Sequence, residues 1–90
     1  MKNQRKTNEI YYIEFQARKG AKPVLLYTVE EIEVNRGAYT KITYAVHSEA
    51  IDHTSWWPTL DGAIKYATSD LLTYLADNRI YAYGVRKGNE

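Results

Sequence analysis

The stretch TLDGAIKYATSDLLTYLAD, residues 59–77, determines the fold class, because its apolar residues repeat with the period of a helix. Thr59 is a typical N-cap residue, and Asp61 places a carboxylate in the first turn, where the helix dipole favours it. Asn78 suits a left-handed C-cap. The apolar stripe consists of Leu60, Ala63, Ile64, Ala67, Leu71, Tyr74 and Leu75. The pattern predicts one amphipathic helix that covers one face of a sheet.

Three segments before this helix alternate apolar and polar residues, as half-buried strands do. They span about 9–18, 24–34 and 38–47, with turn residues such as Gly20 and Gly37 between them. They predict a three-stranded antiparallel meander, and the whole chain therefore an α+β fold. Residues 80–87 alternate again and are a candidate fourth short strand, which would run parallel to the first and third on an outer edge. Residues 48–58 are expected to form a loop.

The second strand contains an irregularity in its apolar alternation. The apolar positions are Leu25, Tyr27 and Val29, and the series then resumes at Ile32 and Val34. A β-bulge at residues 30–31 would keep all five side chains on the inner face. Alternatively, the strand leaves the core at this point.

Composition predicts one small cytoplasmic domain over residues 9–87, preceded by a flexible basic tail over residues 1–8. Ninety residues with 44% hydrophobic and 26% charged residues are typical of a globular domain. The chain has no cysteine, which excludes disulfides and thiolate chemistry. It has no signal peptide and no apolar run of the roughly 20 residues that span a bilayer, so no membrane association is expected.

Catalysis, a metal and a cofactor are not expected from this sequence. One cluster has the composition of a metal site, namely His47, Glu49, Asp52 and His53. Its spacing matches no zinc or iron signature, and no convincing nucleophile or phosphate-binding glycine motif accompanies it. A solvated loop explains the cluster better, and the protein is predicted not to be an enzyme.

Aromatic residues favour a binding function, because tyrosine and tryptophan are enriched where proteins contact partners. The chain has nine tyrosines. Tyr12 and Tyr39 are assigned to the outward sheet face, on strands either side of the second, although tyrosine also suits a half-exposed sheet without any binding role. Of the adjacent Trp56 and Trp57, at least one is expected to cap the core and the other to be an anchor. The predicted partner-binding residues are Tyr12, Tyr39, Lys41, Trp56, Trp57 and Tyr66.

Basic residues are expected to gather at two poles of the domain. The predicted basic contacts are Arg18, Lys19 and Lys22 at one hairpin tip and Arg36 at the other. Arg86 and Lys87 are expected near the first pole and Arg79 near the second. Such clusters could contact phosphates, or they could be solvated charges that protect sheet edges. An acidic patch of Glu30, Glu31 and Glu33 on the central strand disfavours nucleic acid.

Two functions are therefore predicted. The first is a small non-enzymatic protein-binding module that occludes a surface of a larger partner. Phage-encoded inhibitors of host defence nucleases have a similar size, and the analogy rests on size and style alone. The alternative is a nucleic-acid-binding domain that uses basic loop tips and an aromatic sheet face, with an element order shared with integrase arm-binding domains and the latter part of double-stranded-RNA-binding domains. A homodimer is compatible with either function.

Overall fold

A computed structural model describes residues 3–88, which form a five-stranded antiparallel sheet with one helix packed on one face. The elements are β1 Asn3–Gln16, β2 Val24–Asn35, β3 Thr40–Ser48, β4 His53–Trp57, α1 Leu60–Ala76 and β5 Ala82–Lys87. The strand order in the sheet is β4-β3-β2-β1-β5. The α+β class and the single covering helix are confirmed, whereas the predicted count of three or four strands is wrong.

Strand β4 lies in the segment that was expected to be a loop, and it changes the direction of the last strand. Residues 53–57 pair with Tyr44–Ser48 of β3. This additional reversal means that α1 returns the chain in the opposite sense, so β5 pairs antiparallel with β1. The prediction of a parallel fourth strand was wrong because it counted one strand too few.

The first strand begins earlier than predicted. Asn3 already pairs with Asn35, so residues 3–8 of the expected flexible tail form part of β1. Arg5 and Glu33 pair across the two strands with 3.1 Å between Nη2 and Oε2. Residues 1 and 2 of the predicted tail lie outside the described residues.

The hydrophobic core lies between the sheet and α1. Its centre consists of fully buried aliphatic side chains from both layers, of which each valine, leucine and isoleucine contributes about 1.5–3 kcal/mol relative to exposure. These side chains are Ile13, Val29 and Val46 from the sheet and Ala63, Ala67 and Leu71 from the helix, with Ile80 closing one end. The sheet face that packs on α1 is called the helix face below, and the opposite one the open face.

Both ends of α1 follow the sequence prediction. The Thr59 hydroxyl accepts a hydrogen bond from the Gly62 N–H at 3.1 Å, which confirms the N-cap. Asn78 is left-handed with φ 58°. The Arg79 N–H donates to the Tyr74 carbonyl at 2.8 Å, which completes a Schellman motif.

Strand β2 turns its apolar side chains to the other face halfway along its length. Pairing with β3 runs without a shift from Tyr27 to Asn35, so the bulge predicted at residues 30–31 is absent from this stretch. Ile32 and Val34 therefore lie on the open face, and the alternative of a strand that leaves the core describes β2 better. The register shifts instead occur in β1 between Lys6 and Ile10, and next to Leu26 in β2.

Beyond this shift the sheet continues as a distal arm, here defined as residues 3–10 and 32–43. None of these residues belongs to the hydrophobic core between sheet and helix. The structure measures 50 × 24 × 21 Å, whereas the 17-residue helix spans only about 26 Å. The arm is thus a three-stranded ribbon that α1 leaves uncovered.

Candidate partner-binding groove

A groove of about 550 Å³ lies on the open face of the distal arm and is shared by four elements and a turn. Its floor is Val34, which is only 5% exposed. Gln4 of β1 and Lys41 of β3 flank Val34 as its direct partners across the sheet. The full lining is Gln4, Val34, Arg36, Lys41, Thr43, Trp56, Trp57 and Pro58.

The two adjacent tryptophans point to opposite faces, because β4 alternates like any strand. Trp57 is half-buried against the core, and its ring lies 4.9 Å from that of Tyr66. The Trp57 Nε1–H donates to the Ser55 hydroxyl at 3.0 Å. Trp56 is 53% exposed beside the groove. The expectation that one indole packs on the core is confirmed, and the other indole is exposed to solvent.

The groove is cationic. Arg36 and Lys41 both line it, and within residues 3–88 neither forms an ion pair, whereas Arg5 and Lys6 on the same arm do. None of the described lining residues has a carboxylate. An anionic group that enters this groove would meet two cations beside an exposed indole.

The acidic patch predicted on β2 is largely compensated within the protein. Glu33 pairs with Arg5 at 3.1 Å and Glu30 with Lys6 at 3.4 Å. The Glu31 carboxylate accepts hydrogen bonds from the hydroxyls of Thr7, at 2.8 Å, and Tyr44, at 3.1 Å. Two of the three carboxylates on β2 are therefore paired with cations, and the third, Glu31, lies on the helix face with Tyr44, opposite to the groove.

Two tyrosines on the helix face of the sheet, Tyr27 and Tyr44, have raised pKa values. Burial, followed by the hydrogen bond to Glu31 and the charge of that carboxylate, raises the pKa of Tyr44. Burial is also the main reason that the pKa of Tyr27 is raised, and Tyr66 and Asp70 add to it. Both phenols are thus held in their neutral form in the folded protein.

Tyr12 and Tyr39 do not form the common platform that the sequence suggested. Tyr12 lies on the open face, but the Arg86 guanidinium covers its ring at 4.6 Å from the centroid. Tyr39 is 61% exposed in the turn before β3. Tyr12 pairs with Thr28, whereas Tyr39 precedes Thr40, the partner of Asn35. Thr28 and Asn35 are seven positions apart on β2, which corresponds to roughly 23 Å. Tyr39 instead lies at the tip of the arm, where its carbonyl accepts the Arg36 N–H at 2.9 Å.

The remaining basic residues are distributed differently from the prediction. Arg18 and Lys19 occupy the β1–β2 turn as expected, with Lys22 three residues further on. Arg79 lies at this same pole, directly after α1, and its guanidinium is 4.6 Å from the Tyr74 ring centroid. Its predicted place at the other pole was wrong. Arg86 and Lys87 lie halfway along β1, opposite Tyr12 and Tyr11, and not at the hairpin tip.

The cluster around His47 assembles at the β3–β4 turn. His47 Nε2 lies 3.4 Å from a Glu49 oxygen and 3.3 Å from an Asp52 oxygen, and Nδ1 is 3.0 Å from the Thr54 hydroxyl. His53 begins β4 and is exposed. In the described part of the chain, no group of three or more His, Cys, Asp or Glu side chains has an arrangement that could hold a metal ion.

Sequence reasoning placed Arg36, Lys41, Trp56 and Trp57 among the binding residues but missed the others that line the groove. Gln4 was assigned to a tail, and its polar neighbours gave no strand signal. Val34 could have been found from the sequence, because it breaks the apolar alternation of β2, and this break marks the point where the apolar side chains change from the helix face to the open face. Thr43 and Pro58 had no distinguishing pattern of their own.

Comparison with protein-family models, curated proteins and solved structures finds no match for this chain. Within residues 3–88, the helix is too short or too polar to cross a membrane.

Proposed function

We propose that the protein is a non-enzymatic binding module that docks the open face of its distal arm onto a larger protein and occludes the surface it covers. Trp56 is the anchor that enters an apolar recess of the partner. Arg36 and Lys41 contact carboxylates beside that recess. An inhibitor of the kind that phages direct against host nucleases is one form of such a module, suggested by size alone.

The observation that supports this proposal most is the exposed Trp56 next to two cations that form no ion pair within the described residues. Exposing a large apolar side chain to water in this way is unfavourable. Tryptophan and arginine are the residues that often dominate the binding energy of protein interfaces. The backbone that carries Trp56 is held in place because β4 is paired with β3 along its whole length and because Trp57, the next residue, is packed against the core. The backbone at the anchor is thus ordered before binding, which lowers the entropic cost of association.

Single-stranded nucleic acid is the second candidate ligand, and the same groove favours it. Bases stack on exposed aromatic rings while neighbouring cations contact phosphates. A lining without carboxylates among the described residues suits a phosphate as well as it suits an acidic protein surface. Salt separates the two, because phosphate contacts weaken steeply as ionic strength rises.

The test compares Trp56→Ala with Leu72→Ala, a control on the outer side of α1 with the same exposure of 53%. The parent protein is used to capture its partner from the source cells, and the affinity of the purified pair is then measured for each variant. Trp56→Ala should weaken binding at least about 30-fold, the effect of a hot-spot residue, whereas Leu72→Ala should leave the affinity unchanged.

Equal affinities for both variants would contradict the proposed anchor. Gel shifts with mixed-sequence single-stranded DNA and RNA, at low and at moderate salt, decide the second candidate. A shift that Trp56→Ala abolishes and that salt weakens would replace the protein partner with nucleic acid. Arg36→Gln and Lys41→Gln should lower the association rate in either case, because they remove the electrostatic attraction.

A further inference from the structure

Strand β5 forms one edge of the sheet and has a row of outward-pointing backbone groups. The Gly88 N–H donates to the Ile10 carbonyl at 2.8 Å, and the pairing with β1 then continues without a shift to Ala82. Because bonded positions alternate along an antiparallel pair, the backbone groups of Gly84 and Arg86 point toward β1. Those of Tyr83 and Val85 therefore point away from the sheet.

Over residues 82–87, this edge has no bulge and no proline, which are two of the features by which proteins prevent further pairing. Its two charges, Arg86 and Lys87, lie at one end of the strand and form ion pairs with Glu14 and Glu9 of β1. The six residues of β5 read AYGVRK, and their register with β1 is regular. Val85 pairs with the core residue Ile13 and is nevertheless 44% exposed. The apolar helix face thus continues to the rim of the sheet. The opposite edge, β4, has only five residues and is followed directly by Pro58.

We propose that two copies of this chain form a symmetric dimer in which β5 pairs antiparallel with β5 of the second copy, centred on Gly84. Tyr83 of each copy then forms a hydrogen-bonded pair with Val85 of the other. The two sheets become one continuous ten-stranded sheet. This dimer is independent of the proposed function, because it uses the edge opposite to that formed by β4 and leaves the groove free.

The register follows from the pleat and from charge. A symmetric dimer has a two-fold axis between the two copies of β5. Side chains that face each other across an antiparallel pair must lie on the same side of the sheet, so this axis passes through a residue, either Gly84 or Val85, and not between two residues. An axis at Val85 would bring the two copies of Arg86 within two residue positions of each other. An axis at Gly84 separates them by four positions and places an aromatic ring opposite a β-branched side chain, which is a favourable cross-strand pair.

The first measurement is the mass in solution of the complete chain, by sedimentation equilibrium over a dilution series. We expect twice the chain mass of 10.4 kDa, returning to a single copy on dilution. Val85→Pro should shift the equilibrium to the single copy. The Val85 N–H points outward, so proline there removes no bond to β1 and is tolerated at an edge. A parent chain that remains at 10.4 kDa throughout would overturn the proposal.

The register is tested by cross-linking, for which the absence of cysteine is an advantage. Gly84→Cys introduces a single thiol at a position where a Cβ atom meets nothing within 4 Å. In the proposed register the two Cα atoms form a non-hydrogen-bonded pair about 4.5 Å apart, which is within disulfide range. Mild oxidation should give a covalent dimer far faster than for Ile51→Cys, a control that is 73% exposed in the β3–β4 turn.

Equal rates for the two cysteine variants would exclude the Gly84-centred dimer, whatever the mass in solution. This readout also does not depend on whether Val85→Pro folds. A dimer that persists in Val85→Pro, together with a Gly84→Cys variant that does not cross-link, would place the contact elsewhere and overturn the assignment of β5.

Discussion

Gly88 lies against the open face where a side chain would not fit. A Cβ atom there would come within 2.5 Å of Ile10 Cγ2 and 2.8 Å of Tyr12 Cε2. Gly88→Ala should therefore destabilise the fold by about 1–3 kcal/mol through overpacking, measured as the free energy of unfolding in urea. Gly84→Ala is the matched control, because its Cβ has open space. If both variants unfold alike, the packing of Tyr12 over Gly88 is wrong.

A second prediction for single residues concerns Tyr44 and alkaline pH. Burial and the bond to Glu31 raise the pKa of its phenol above the ordinary value of 10.0. The folded state therefore retains the proton longer than the unfolded chain, and the free energy of unfolding should fall as the pH rises through 10 toward the folded pKa. Below the ordinary pKa this contribution is fully present.

Tyr44→Phe should make that alkaline decline shallower, and Glu31→Gln should do so in part, because it removes the negative charge that adds to the shift while keeping an oxygen that can accept the phenol hydrogen bond. Urea unfolding at a series of pH values on both sides of the ordinary tyrosine pKa measures the slope. The parent and Tyr44→Phe are compared, since the other tyrosines contribute equally to both. If the free energy of unfolding falls with pH at the same slope in the parent and in Tyr44→Phe, folding does not raise the pKa of the Tyr44 phenol.

Among the secondary-structure elements, α1 was predictable and β4 was not. The caps of α1 depend on residues within one turn, such as Thr59 with Gly62, so the local sequence determines them. Strand β4 has five residues, and its strand character arises from pairing with β3. The direction of β5 then depends on how many strands precede it, so one missed strand reversed the prediction.

The distal arm should be the least protected of the sheet segments in hydrogen exchange. No residue of 32–43 packs in the core, and Ile42 is 37% exposed although it lies on the helix face. Amides there should exchange through local opening at lower free energy than those of the core strands, for example at Val29 and Val46. Exchange measured by nuclear magnetic resonance or mass spectrometry would show this gradient. Uniform protection along β2 and β3 would mean that another surface covers the arm.

For the whole molecule, the groove shows why a binding site is harder to predict than a helix. Gln4, Lys41 and Trp56 come from three distant parts of the sequence, and the pairing of four strands brings them together. The residue types that favour binding were recognisable from composition. Their grouping was not, because whether Tyr39 or Tyr12 shares a surface with Trp56 depends on the length of the strands.

The uncovered arm also determines how the molecule behaves hydrodynamically. The radius of gyration is 14.8 Å, whereas a compact chain of this length would have roughly 12 Å, and the larger value is typical of about 150 residues. One copy should therefore elute from a sizing column like a considerably heavier sphere. An early elution volume is therefore expected even for a single elongated copy, and the mass from sedimentation equilibrium, which does not depend on shape, distinguishes elongation from association.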